Sequence, residues 1–153
     1  MSNLRALLPA TAMTLFVHFK NEATGEKLYV MEMQDVEGVP TAVQKLDGEG
    51  KAMPIGVMVY TPGSKVYRTA ANMNATDNIK AGRKELSGDK IDQQQVNLLA
   101  RTTIRPVNFD LDGGNNFDAW REFYDNGENV AYREQVAEAQ ADLGKSLIAS
   151  VKG

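Results

Sequence analysis

The chain contains a single histidine, His18, and no cysteine, so few side chains are available for nucleophilic or metal chemistry. A serine–histidine–aspartate triad would have to use His18, but the G-x-S-x-G motif that presents the serine in many such enzymes does not occur. A zinc site would need three carboxylates beside this histidine, because the chain has no thiolate and no second imidazole. We therefore interpret His18, which stands between Val17 and Phe19, as a residue of a partly exposed strand.

A calcium loop is the next candidate, because a segment rich in Asp, Asn and Gly begins at Asn108. Asn108, Asp110 and Asp112 fall at positions one, three and five of an EF-hand loop, and Gly113 falls at position six. Position twelve is Ala119, where the loop requires a bidentate glutamate. The same composition is typical of a turn whose residues adopt left-handed backbone angles, and we favour that interpretation.

The residues Gly144, Lys145 and Ser146 match the end of a phosphate-binding loop. That motif also needs an upstream glycine, and the corresponding position is Ala139. The surrounding sequence has the spacing of a continuous helix rather than of a strand followed by a loop. Since no motif for a nucleotide, a metal or a nucleophile is complete, we expect no cofactor, no metal and no catalytic residue, and therefore no enzyme.

The remaining chemical feature is an aromatic cluster in the C-terminal half, made of Phe117, Trp120, Phe123, Tyr124 and Tyr132. Such residues could form the core that holds the last two helices to a sheet, or they could form a contact surface on which Trp and Tyr anchor a partner protein. Both interpretations stay open at the level of the sequence. The candidate protein-binding residues are Trp120, Phe123, Tyr124, Tyr132 and Arg133.

Four strands are predicted in the first part of the chain. Residues 14–20 are β-branched and aromatic, with Leu15, Val17 and Phe19 on one face. Residues 27–34, 41–46 and 54–60 follow, separated by segments of turn-forming residues: 21–25, 35–40 and the glycine-rich 47–51. This spacing predicts a four-stranded antiparallel sheet over 14–60, arranged as a meander or a small sandwich.

Four helices are predicted after residue 63. Ser64 is a good N-cap for the first, Asp89 can cap the second, and Asn116 can cap the short third helix. Pro106 should end the second helix, because the residue before a proline avoids the helical region. The last helix is expected over 128–150. One face of the second helix is expected to carry Ile91, Gln95, Leu98, Leu99 and Thr102.

The predicted fold class is α+β, with an N-terminal antiparallel sheet followed by a helical part. We expect one domain over 1–153, made of a β-rich part (1–62) and a helical part (63–153), because neither part alone offers much core. The residues expected in that core are Phe16 or Val17, Val57, Val59, Leu98, Trp120, Val136 and Leu143.

Charge and hydropathy exclude two classes of partner. The net charge of −3 and the pI of about 5.2 argue against nucleic acid, whose binding requires a concentrated basic surface. The longest apolar-leaning stretch, from Leu4 to Phe19, is interrupted by Arg5 and Pro9 and is too short for a membrane helix. It also lacks the features of a signal peptide, so we expect a cytoplasmic protein.

Several segments of the C-terminal half resemble the tail assembly chaperones of tailed phages. These segments are a Leu-Leu-Ala stretch at 95–101, an Asp-Gly turn at 108–113, a capped short helix ending in Glu-Phe-Tyr at 116–124 and an Arg-Glu-Gln-Val sequence at 132–136. The segment 57–68, with a strand, a Pro-Gly-Ser turn and a Tyr-Arg helix start, is similar as well.

This resemblance implies a role in tail morphogenesis through protein–protein binding in the host cytoplasm. Chaperones of that family coat the tape measure protein, recruit tail tube subunits and are then released. The implied partners are therefore these two proteins, neighbouring virion subunits, or further copies of the chain, without nucleic acid or membrane. Two alternatives stay open: a permanent virion subunit of the tail, connector or capsid surface, and a small phage accessory or inhibitor protein.

Overall fold

The computed structural model describes residues 13–80 and 88–152, with side chains described for 13–76 and 90–143. The elements within these residues are, in chain order, β1 (Thr14–His18), β2 (Met31–Val36), β3 (Val39–Gln44), β4 (Gly56–Tyr60), α1 (Lys65–Lys80), α2 (Gly88–Thr102), β5 (Thr103–Val107), α3 (Phe117–Asp125), a 3-10 helix (Gly127–Asn129) and α4 (Val130–Lys152). Strands followed mainly by helices make an α+β arrangement, which confirms the predicted fold class. That the chain forms a single domain stays a prediction.

The central sheet has three antiparallel strands in the order β1-β4-β5. Its middle strand, β4, is rich in valine, and Val57 and Val59 are fully buried beneath the helices. On β1, Val17 is buried and is followed by the buried Phe19, as the alternation of apolar residues predicts. The helical layer therefore packs on the sheet face that carries the odd-numbered residues of β1 and β4.

The prediction of a single four-stranded sheet was wrong. Strands β2 and β3 pair only with each other among the described residues and form a separate hairpin. They meet at a two-residue turn, Glu37-Gly38, whose φ angles of 53° and 81° suit the right-handed twist of a tight hairpin. The predicted loop at 35–40 is therefore mostly strand, and it carries the hairpin away from the core.

The third strand of the central sheet comes from the predicted helical half. Helix α2 ends at Thr102, and β5 begins directly at Thr103 instead of following Pro106. The hydroxyls of Thr102 and Thr103 donate to the carbonyl oxygens of Leu98 and Leu99, which competes with further helical hydrogen bonds. Pro106 lies within β5, where it is tolerated because β5 is an edge strand.

Two of the predicted helix caps, Ser64 and Asn116, are confirmed by the structure. The Ser64 hydroxyl accepts from the backbone N–H of Tyr67 over 3.1 Å, and the Asn116 side chain accepts from the N–H of Ala119 over 2.9 Å. Each satisfies a backbone donor that the first turn of a helix leaves free. The predicted cap Asp89 lies outside the residues whose side chains are described.

The core agrees with most of the predicted residues. Buried as expected are Val17, Val57, Val59, Trp120 and Val136. Phe16, Leu98 and Leu143 are only partly buried.

The predicted face of α2 was partly wrong. Val96, Leu99 and Ala100 point inward, whereas Ile91 is 54% exposed. The polar residues of α2 leave the direction of its apolar face poorly defined in the sequence, and packing against α3 decides it.

Candidate protein-binding site

Two rings of the aromatic cluster, those of Trp120 and Tyr124, lie at the centre of the core. Trp120 is 1% exposed and Tyr124 is fully buried, and their rings stack with centroids 5.7 Å apart. The indole N–H of Trp120 donates to the side-chain oxygen of Asn115 over 2.7 Å. Both rings therefore help to pack α3 against the sheet.

The hydroxyl of Tyr124 is hydrogen-bonded inside the core. It lies 2.7 Å from the hydroxyl oxygen of Thr103, whose own proton is directed at the carbonyl oxygen of Leu99 over 2.7 Å. Thr103 has a single proton to give, so Tyr124 is the donor in this pair. Burial raises the pKa of Tyr124 well above its usual range, because the phenolate would have to exist away from water.

Two further candidates, Phe123 and Tyr132, are half-buried at the rim of the core. Tyr132 stacks on Phe19 with centroids 4.6 Å apart, and Phe123 lies edge-on to Trp120 at 5.5 Å. They line an apolar cavity of about 240 Å³ together with Phe19, Leu28, Ile55 and Phe109. Among the four aromatic candidates, these two rings are the ones that reach the surface.

Arg133, the last candidate, is engaged within the chain. Its guanidinium donates to both carboxylate oxygens of Asp92 over 2.6 and 3.4 Å and to the carbonyl oxygen of Tyr124 over 3.4 Å. The side chain is only 12% exposed. Arg133 therefore ties α4 to α2 and to the end of α3. The assignment of all five residues to protein binding stays a prediction.

His18 lies in β1, as interpreted from the sequence. Its Nε2 donates to the carbonyl oxygen of Leu28 over 2.7 Å, and its ring packs edge-on against Tyr29 at 4.9 Å. These contacts fix the segment after β1 against the strand. No three His, Asp or Glu side chains come together as metal ligands within the described part of the chain.

The loop tested for calcium has the backbone of a turn. Asn108 has a φ of 62° and Gly113 a φ of 88°, both left-handed as the interpretation of this segment as a turn requires. The amide of Asn108 donates to the carbonyl oxygen of Pro54 over 2.7 Å, so it fastens the loop to the start of β4. The residues tested for a phosphate loop, 144–146, lie within α4, in agreement with the continuous helix expected there.

The β2–β3 hairpin carries exposed apolar side chains on both of its faces. Four large side chains point to solvent there: Met31 (52% exposed), Met33 (66%), Val36 (46%) and Val39 (61%). Both strands were predicted within the main sheet, so these exposed side chains were not expected. One signal was available: both strands mix apolar and polar residues without a continuous apolar face.

A second open feature is the outer edge of β1, where a groove of about 410 Å³ runs between this strand and α4. Its lining combines apolar residues with charged ones: Leu15, Phe16, Val17, His18, Lys20, Lys27, Gln135, Glu138, Ala139 and Asp142.

The chain was compared with protein-family models, curated proteins and solved structures. No protein-family model, no curated protein and no solved structure matches the chain. Among the residues that the structure describes, no helix combines the length and the apolar character that crossing a bilayer requires.

Proposed function

We propose that this chain is a non-catalytic protein-binding protein that acts in the morphogenesis of a tailed phage, in the manner of a tail assembly chaperone. The observation that carries the proposal is the β2–β3 hairpin, which pairs with no other strand among the described residues and exposes Met31 and Met33 on one face. The phage context rests on the sequence resemblance alone.

The hairpin is better suited to a bound state than to a free one. A two-stranded sheet without a packed face is marginally stable in water, and each exposed apolar side chain gains free energy when a partner covers it. Methionine adapts its shape to different surfaces because it is unbranched and polarizable. Met31 and Met33 share one face of β2, so together they offer a partner a small deformable contact.

The segments that carry the resemblance also lie on defined elements. The Leu-Leu-Ala stretch lies in α2, the Glu-Phe-Tyr sequence closes α3, and the Arg-Glu-Gln-Val sequence lies in the second turn of α4. These elements form the helical layer against the central sheet. The layer would act as the rigid support from which the hairpin reaches a tape measure or tail tube protein.

A permanent virion subunit is the second candidate, and the same hairpin favours it. An arm that packs on no other strand of its own chain, among the described residues, would be covered permanently inside an assembled particle. Mass spectrometry of purified particles separates the candidates, because a subunit is present in many copies and a released chaperone is absent.

The test of the proposed function is co-purification of the chain with the tail tube and tape measure proteins of the same genome. We expect the variant Met31→Ser/Met33→Ser to retain its fold, because both side chains are exposed, and to lose about tenfold or more of the binding, because it removes the apolar area that a partner would cover. The matched control is Gln34→Ser/Thr41→Ser, a directly opposed pair on the other face of the hairpin, which should bind normally. Absence of binding by the unmodified chain, together with its absence from particles, would reject both phage roles.

A further inference from the structure

The outer edge of β1 presents unpaired backbone groups. The odd-numbered residues pair with β4: Phe19 donates to the carbonyl oxygen of Ile55 over 3.0 Å, and Met13 accepts from Thr61 over 3.1 Å in the same register. In an antiparallel strand the intervening residues direct their N–H and C=O groups the other way. The backbone groups of Phe16 and His18 therefore point outward, and no described residue pairs with them.

One position of this edge is already paired, by a side chain instead of a strand. The Gln135 amide accepts from the Lys20 backbone N–H over 2.8 Å and donates to the Lys20 carbonyl oxygen over 2.9 Å. This is the pair of hydrogen bonds that a residue of a neighbouring strand would make. Gln135 thus satisfies the edge at Lys20 and leaves Phe16 and His18 open beyond it.

Helix α4 forms the second wall of the groove and runs antiparallel to β1. Gln135 contacts Lys20 at one end, and Gln140 donates to the carbonyl oxygen of Tyr60, the partner of Thr14, over 2.8 Å at the other. The small side chain of Ala139 lies between these two points. The resulting space of about 410 Å³ has the volume of a short peptide.

The groove is charged with opposite sign at its two ends. Lys20 and Lys27 lie at the end that Gln135 closes, and both are exposed. Glu138 and Asp142 lie further along α4, toward the start of β1, and they are exposed as well. An extended segment that fits both ends carries an acidic residue near the lysines and a basic residue near the carboxylates.

We propose that this edge binds an extended segment of a partner protein, which adds to the central sheet as a strand antiparallel to β1. In that orientation the segment has its acidic residue on the N-terminal side and its basic residue on the C-terminal side. Main-chain hydrogen bonds to Phe16 and His18 would supply affinity, and the charged ends would fix direction and register. The inference rests on the protein-binding role proposed above and names a second surface for it.

A second copy of the chain fits this edge less well than a single strand does. Pairing of two β1 edges about a twofold axis would bring both copies of α4 to the same face of the joined sheet. Each helix already borders its own edge, as the Gln135–Lys20 contact shows. The groove therefore has room for a single strand, but not for a strand that brings its own copy of α4 with it.

The test is amide hydrogen exchange on the full chain with millimolar amounts of the capped peptide Glu-Val-Thr-Val-Lys. We expect the protection of the Phe16 and His18 amides to rise about tenfold, while Leu15 and Val17, already paired with β4, change little. The peptide Lys-Val-Thr-Val-Glu, with the same composition and reversed charges, should protect them less. Unchanged protection of Phe16 and His18, or equal protection by both peptides, would overturn the proposal.

Protection of Phe16 and His18 in the peptide-free protein would also overturn it, because another segment would already cover the edge. If this protection depends on protein concentration, the covering segment belongs to a second copy of the chain. If it does not, the covering segment belongs to the same chain.

Charge reversal tests the assigned ends. The variant Glu138→Lys/Asp142→Lys should lose at least about tenfold of its affinity for Glu-Val-Thr-Val-Lys and should prefer Glu-Val-Thr-Val-Glu. The matched control is Glu134→Lys, an exposed carboxylate of α4 outside the groove lining, which should bind nearly as the unmodified chain does. Equal losses in both variants would overturn the assignment. A negative result with the peptides does not affect the co-purification test of the hairpin, so the two proposals can be rejected independently.

Discussion

Tyr124 shows how a single residue of the core can make stability depend on pH. Its phenol is fully buried, and it donates to Thr103 across the junction of α2 and β5. Burial raises its pKa in the folded chain, whereas in the unfolded chain the pKa is near the ordinary value of about 10. Above that pH the unfolded chain loses the proton first, so the unfolded state gains stability relative to the folded one.

We therefore expect the free energy of unfolding to fall as the pH rises above about 10, and part of that fall to disappear in Tyr124→Phe. At neutral pH the variant should be less stable by about 1 kcal/mol, the typical contribution of one buried hydrogen bond. Denaturant unfolding at several pH values measures both effects. Tyr132→Phe, at a half-buried ring, is the control and should keep the alkaline fall; an identical fall in both variants would contradict the role of Tyr124.

At this scale the sequence predicts what is local. Ser64 and Asn116 were predicted as caps because a cap depends on its own first turn. Trp120 was expected in the core and is buried there, but the same choice could not be made for Tyr124, because it depends on which side of α3 meets the sheet. Whether Arg133 contacts a partner or its own chain could not be predicted either, because its ion-pair partner Asp92 lies on another helix.

At the scale of elements, the close approach of β1 and β4 depends on one residue of the central strand. A Cβ atom added at Gly56 would overlap the backbone carbonyl oxygen of Val17. Glycine at this position is therefore required by contact between two backbones and not by its own φ angle.

We expect Gly56→Ala to cost about 1–3 kcal/mol of unfolding free energy, because the two strands must separate to admit the methyl group. The control is Gly48→Ala in the 47–51 loop, where no atom lies within 4 Å of the added Cβ. This control should stay within about 0.5 kcal/mol of the unmodified chain. Chemical denaturation of both variants measures the difference, and equal stabilities would show that β1 and β4 can move apart freely.

The existence of most elements follows from local sequence, but their pairing does not. The strand at 14–20 and the turn at 47–51 have clear signatures, and the structure contains both. Strand β5 was missed because Pro106 reads as the end of a helix, whereas an edge strand accommodates it. The division into two sheets could not be predicted, because antiparallel strands of similar composition can pair in several ways.

At the scale of the whole molecule, the hairpin and the body should be energetically separable. The hairpin base is fastened to the body by the hydrogen bond from Val30 to the carbonyl oxygen of Met53, over 2.9 Å, and by the bridge between Tyr29 and Pro54. Most of the hairpin beyond this base is exposed.

Replacing residues 32–43 with an Asn-Gly turn removes the hairpin, and the two new residues connect Met31 to its cross-strand partner Gln44. We expect the melting temperature to change by less than about 2 °C, because little buried surface is removed. Calorimetry measures this, and binding of tail proteins by the shortened chain measures the role of the hairpin separately. A fall of about 4–8 °C would show that the hairpin packs on the body.

The order of strands in the central sheet also sets when the chain can fold during synthesis. Its middle strand, β4, needs β1 from the start of the chain and β5 from beyond two helices. While a ribosome is still producing α1 and α2, one side of β4 has no partner, and Val57 and Val59 have no helical layer above them. Such an intermediate exposes an unpaired strand edge and is prone to aggregation. Folding should therefore be completed late, after α3 and α4 have left the ribosome, and a chain that stops before Thr103 should be a substrate for proteases.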